Sequence, residues 1–135
     1  MNLVSMRIIT SDLNRLVSFY ELISGMSATR YTEDFAELVT PSCTLAIGSA
    51  RTLRLFGAED VLGPAQNRSA IIEFLVQNVD DEFARLRELL TDVVQEPTTM
   101  PWGNRSLLLR DPDGNVINFF TPVTPDAINK FKRKM

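Results

Sequence analysis

Met6-Arg7-Ile8-Ile9-Thr10-Ser11-Asp12-Leu13 and Ile72-Glu73-Phe74-Leu75-Val76-Gln77-Asn78-Val79 follow one pattern, repeated at an offset of 66 residues. Met6, Ile8 and Thr10 correspond to Ile72, Phe74 and Val76, the period-two signature of a strand with one buried face. A polar break comes next, Ser11-Asp12 in one copy and Asn78-Val79-Asp80 in the other, with residues suited to capping a helix N-terminus. The apolar spacing then lengthens to that of a helix. Leu13, Leu16, Val17, Tyr20 and Ile23 make one stripe, and Val79, Phe83, Leu86 and Leu90 the other. Gly25 is placed to close the first helix in the left-handed conformation.

Outward from these two segments the chain reads as strands and turns. The first half predicts strands over 28–31, 35–40 and 44–48, with a further short one at 51–55. The second half predicts strands over 94–96, 106–110 and 116–120. Asp111-Pro112-Asp113-Gly114 has the preferences of a type I turn and closes a hairpin between the last two. The result is βαβββ twice, an α+β chain with modules over 1–56 and 70–122, a linker over 57–69 and a tail over 123–135. One helix cannot cover both faces of its sheet, so the modules are expected to pair as curved mixed sheets forming a cup.

The 135 residues suffice for one core-bearing domain. A net charge of −3 argues against a nucleic-acid surface, which needs clustered positive charge. The basic run Lys130, Lys132, Arg133 and Lys134 sits at the C-terminus and reads as a solvated, frayed tail. The single cysteine, Cys43, excludes an internal disulfide and fits a reducing cytoplasm. It lies in an apolar run and reads as a buried structural thiol. No apolar stretch reaches the roughly 20 residues of a membrane helix, and no signal peptide is expected. There is no phosphate-binding loop, no dinucleotide turn and no Ser/His/Asp or Cys/His set, because histidine is absent.

The paired pattern, Ser11-Asp12-Leu13 before a helix carrying Phe19-Tyr20, and Trp102-Gly103-x-Arg105 before Asp111-Pro112-Asp113-Gly114-Asn115-x-Ile117, resembles the vicinal oxygen chelate superfamily. This is the glyoxalase/bleomycin resistance/dioxygenase fold, and the resemblance covers roughly residues 4–122. In its metal-dependent members a histidine precedes the helix-opening Asp by seven residues; here that position is Ser5, and its second-half counterpart is Ile71. The glutamate expected after the Gly-Asn turn is Asn118, and no Asp or Glu occurs between residues 38 and 58. A catalytic divalent ion needs about three N, O⁻ or S⁻ ligands aimed at one point. The resemblance therefore implies a member with neither catalytic metal nor other cofactor.

Strand alternation puts Arg7 and Ile9 on the face of Ser5, and Glu73 and Leu75 on that of Ile71. Arg7 and Glu73 are equivalent across the repeat, and two readings stay open: a structural ion pair, or ligand contact by Arg7 with Glu73 as a base. Asn118 is placed on an inward face, contacting ligand or making structural hydrogen bonds. The resemblance offers Trp102 as a stacking surface or a dimer-edge residue, and Phe35 is a second candidate wall. Arg105 either contacts ligand or anchors the hairpin. The expected protein is a cytoplasmic homodimer that sequesters a small planar or amphipathic ligand, without nucleic-acid or membrane partners. Alternatives are a glyoxalase-like lyase or isomerase with an atypical site, and a non-catalytic structural or regulatory module.

Overall fold

A computed structural model describes all residues, Met1–Met135. The architecture is α+β, with two four-stranded mixed sheets in strand orders β1-β4-β3-β2 and β5-β8-β7-β6. Two compact units result: Met1–Asn67 with Pro112–Gly114, and Arg68–Asp111 with Asn115–Met135.

In unit 1, β1 (Ser5–Thr10) runs into α1 (Leu13–Ser24), followed by β2 (Thr29–Thr32), β3 (Phe35–Val39) and β4 (Thr44–Ser49). Asp12 caps α1 by accepting the Arg15 backbone N–H, and Gly25 ends it with φ 69° while donating its N–H to Glu21. The predicted stripe Leu13, Leu16, Val17, Tyr20 and Ile23 is buried throughout, each residue contributing roughly 1.5–3 kcal/mol relative to exposure. β1 pairs in parallel with β4, with Arg7 opposite Ala46 and Ile9 opposite Gly48. Ile8 and Thr10 are buried on the helix side, leaving Ser5, Arg7 and Ile9 on the opposite face.

The strand expected at 51–55 does not form. Ala50–Thr52 is a 3-10 turn and Leu53–Phe56 a short helix, α2, closed by Gly57 at φ 65°. Only Leu53 of that helix is buried, so a single apolar anchor with a glycine stop outweighed the weak alternation read from sequence. Cys43, expected to be buried, is half-buried just before β4.

Unit 2 repeats the plan with β5 (Ile71–Leu75), α3 (Val79–Leu86), β6 (Val93–Thr99), β7 (Asn104–Arg110) and β8 (Val116–Pro122). Asn78 caps α3 by accepting the backbone N–H groups of Asp80 and Asp81. Asp80, Asp81 and Glu82 then place negative charge at the positive end of the helix dipole. β5 pairs in parallel with β8, Glu73 lying opposite Asn118. The 111–114 turn closes the β7–β8 hairpin: the buried Asp111 carboxylate accepts both the backbone N–H and the side-chain amide of Asn115. Gly114, at φ 84°, supplies the left-handed residue.

The tail is corrected in part: of the basic run only Lys130 lies in a helix, and Lys132, Arg133 and Lys134 follow it, exposed. Pro125–Phe131 form a helix, α4, whose N-terminus is capped by Thr124 Oγ1 accepting from the Ala127 N–H. Thr-Pro-Asp is a strong helix start, and the basic residues after it masked that signal. Phe131 stacks edge-on against Phe120 of β8 at 5.1 Å between centroids. No helix is long and apolar enough to cross a membrane.

Candidate functional site

Each sheet has one face packed by its principal helix and one facing away from it. In unit 1 the far face is built by cross-strand neighbours, Arg7–Ala46–Glu37 in one row and Ile9–Gly48–Phe35 in the next. Arg7 leans across the sheet beside Gly48, where an added β-carbon would press on Thr52 Oγ1 at 3.1 Å and meet Arg7 Nη1 at an ordinary 3.9 Å. The Arg7 guanidinium sits over the rings of Phe35 at 4.6 Å and of Phe56 at 5.1 Å. Both contacts are cation–π in kind and reinforce a fixed orientation. Tyr31 stacks on Phe35, their ring centroids 5.6 Å apart at an interplanar angle of 25°. The hydrogen bond to Glu37, then its negative charge, push the Tyr31 phenol above its ordinary pKa. None of the ion pairs in the molecule involves Arg7.

In unit 2 the equivalent face carries Glu73 on β5, Asn118 on β8, Leu108 on β7 and Gln95 on β6, all in one row. The Asn118 side-chain amide donates to Glu73 Oε2 at 2.8 Å. Asn118 is 8% exposed, and its Oδ1 finds no hydrogen-bond partner. Phe120 and Ser106 form the next row, where Phe131 of α4 reaches Phe120.

The sequence-predicted residues therefore separate into groups. Arg7 and Phe35 meet in unit 1, with Ser5 one strand step from Arg7 on the same face. Glu73 and Asn118 meet in unit 2. Arg105 faces the other way: it holds Asp80 of α3 through two hydrogen bonds, Nε to Oδ2 at 2.8 Å and Nη2 to Oδ1 at 3.0 Å. That partner, by hydrogen bonding before charge, keeps the Asp80 carboxyl below its usual pKa. Trp102 lies in the β6–β7 turn and is 68% exposed.

Phe56 and Ser106 were not singled out from sequence. Phe56 was hidden by the misread strand at 51–55. Ser106 gave no signal, since by strand parity it shares the face of Asn104 and Arg110 and reads as an ordinary polar position.

A divalent ion of the kind the resemblance implies would need a cluster of ionisable ligands. No three His, Cys, Asp or Glu side chains come together in a way that could hold one. Where ligands were sought stand a hydroxyl, an alkyl group and an amide, at Ser5, Ile71 and Asn118. The residues do not fit the metal.

Comparison with known proteins agrees with the topology. No curated protein sequence gives a significant match. A solved structure described as a conserved domain protein is 30% identical, with a TM-score of 0.71, covering 90% of this chain and 99% of its own. A glyoxalase/bleomycin resistance protein/dioxygenase from Nocardioides is 21% identical with a TM-score of 0.76, covering 93% of this chain and 85% of its own. A family enzyme from Burkholderia phytofirmans PsJN is 18% identical with a TM-score of 0.78, covering 91% of this chain and all of its own, 100%. At those last two identities the likeness is one of fold. The sequence model of the superfamily itself aligns with residues 2–119, and so the chain belongs to the Glyoxalase/Bleomycin resistance protein/Dioxygenase superfamily.

Proposed function

We propose that this protein is a metal-independent binder of a small planar or amphipathic ligand and that it performs no metal-assisted chemistry. The observation that carries the reading is the Arg7 guanidinium over Phe35 and Phe56, with no carboxylate drawn to it. An arginine held by rings and left without a counter-charge keeps its edge N–H groups available to a carbonyl or anionic group. The surrounding rings supply a surface for a planar body. Ser5 lies beside Arg7, and Glu73 with Asn118 forms the corresponding polar pair of unit 2. Arg105, committed to Asp80 on the opposite face, is read as an anchor, and Trp102, in an exposed turn, as a secondary member of the ligand set.

The test has two measurements on the purified protein. Elemental analysis is expected to find no stoichiometric Zn, Ni, Fe or Mn; one equivalent of any of them returns the protein to the lyase reading. A thermal-shift screen of planar and amphipathic small molecules, followed through Trp102 fluorescence, is expected to give hits that Arg7→Ala weakens by about tenfold. A complete absence of hits would refute the binding reading.

A further inference from the structure

The far face of unit 2 holds buried oxygens without hydrogen-bond partners. Asn118 Oδ1 is buried without a partner, and so are Ser106 Oγ and Asn104 Oδ1. Ser106 is 3% exposed, deeper than Asn118. All three belong to one face: Asn104, Ser106 and Leu108 alternate along β7, and Leu108 pairs with Asn118, which pairs with Glu73. Ser106 pairs with Phe120, one step further along β8, so it lies diagonally from Asn118. Buried polar atoms are nearly always satisfied, and each that is not costs about 1–3 kcal/mol. Three on one face call for a partner.

The identity of that partner follows from the charge beside these oxygens. The Asn118 amide gives one of its two N–H groups to Glu73, and its carbonyl oxygen stays buried without a partner. The Asn104 orphan is likewise a carbonyl oxygen, and Ser106 can accept. Glu73, acceptor-only when ionised, adds a negative charge that no ion pair neutralises. The cation of this face, Arg110, is already held by Asp92 at 2.8 Å. On α4, Lys130 is drawn over the Phe131 ring at 5.2 Å. The site thus sets unsatisfied oxygens beside a carboxylate without a counter-charge, and the Phe120–Phe131 pair provides an apolar wall beside it.

We infer that the Glu73–Asn118–Ser106 face of unit 2 recognises an organic cation through its N–H groups, an ammonium or amidinium carried on an aromatic or apolar body. This rests on the binding function proposed above and adds the chemical class of the group that the face of unit 2 takes. The carboxylate of Glu73 supplies the charge preference, while Asn118 Oδ1 and Ser106 Oγ accept the N–H groups. Phe120 and Phe131 flank the body of the ligand.

Three probes of one shape separate the possibilities: benzamidinium, neutral benzamide and benzoate, titrated into the full chain with the side-chain amide resonance of Asn118 followed by NMR. Benzamidinium is expected to shift that resonance at tenfold or more lower concentration than benzamide, and benzoate to leave it unmoved. Glu73→Gln, which keeps an acceptor for the Asn118 amide, is expected to retain its melting temperature and bring benzamidinium within about threefold of benzamide. Ser106→Ala removes an unsatisfied hydroxyl, so it is expected to leave stability unchanged or raised while weakening benzamidinium several-fold. Equal response to all three probes, a preference for benzoate, or no shift at millimolar benzamidinium overturns the inference. So does a crystal structure soaked in benzamidinium in which water alone fills the face. Those outcomes leave the binding function standing if the broader screen has given hits, and a screen without hits removes both.

Discussion

Gly103 shows how one residue can hold two elements in place. Its φ of 93° is open to glycine and strained for other residues, and a β-carbon there would collide with Thr124 Oγ1 and come within 3.1 Å of Ala127 Cβ. Thr124 is the cap of α4, so the collision falls on the hydroxyl that starts that helix. Gly103→Ala is expected to cost about 2–4 kcal/mol, combining backbone strain with overpacking. Chemical denaturation checks this; a loss under 1 kcal/mol would mean that α4 shifts freely. The site residues were legible in proportion to the locality of their signals. Strand parity put Arg7 on the face of Ser5 and Glu73 on that of Ile71; the meetings of Arg7 with Phe35 and of Glu73 with Asn118 depend on strand order, which parity does not give. It could not find Phe56, whose approach to Arg7 depends on a turn after β4. Nor could it foresee that Asp80 would claim Arg105 from α3.

At the scale of elements, the two capped helices anchor the repeat. Asn78 satisfies two of the free N–H groups at the start of α3, where Asp12 satisfies one at the start of α1. Asn78→Ala is expected to lower stability by about 1 kcal/mol, read as a shift in the urea midpoint with the slope unchanged. A changed slope would show instead that the variant alters how much of the chain unfolds. Caps and stripes of this kind are written locally, and for that reason both principal helices could be read from the sequence. Short helices are written less clearly. α2 has four residues and one buried side chain, too few to establish a period. In α4 the start signal Thr124-Pro125-Asp126 was present, but the run of lysines after it suggested a tail that nothing would order.

The molecule as a whole carries an unusual titration profile. Glu21, Asp34 and Asp80 each have a carboxyl held below its ordinary value, chiefly by the Ala28 backbone N–H, the Ser49 hydroxyl and the Arg105 guanidinium respectively. A carboxyl that protonates less readily when folded leaves the unfolded chain holding more protons in acid. Its stabilisation is therefore present above the unfolded pKa of about 4 and is lost as pH falls through the lower folded value. No imidazole exists to titrate between pH 5 and 8. The melting temperature is expected to stay level from pH 8 to 6 and to fall below about pH 4.5. A decline already under way between pH 7 and 6 would contradict this assignment.

The strand order has a further consequence, for synthesis on the ribosome. β1 finds its neighbour in β4, so the first sheet has all its strands once Ser49 has been made. β5 has a single neighbour, β8, the last strand of its sheet to be made. From the emergence of Leu75 to that of Val116, the growing polypeptide carries an apolar strand with no sheet to join. Ile72 and Phe74 are then the residues most open to a chaperone, or to another nascent copy, until β8 has been made.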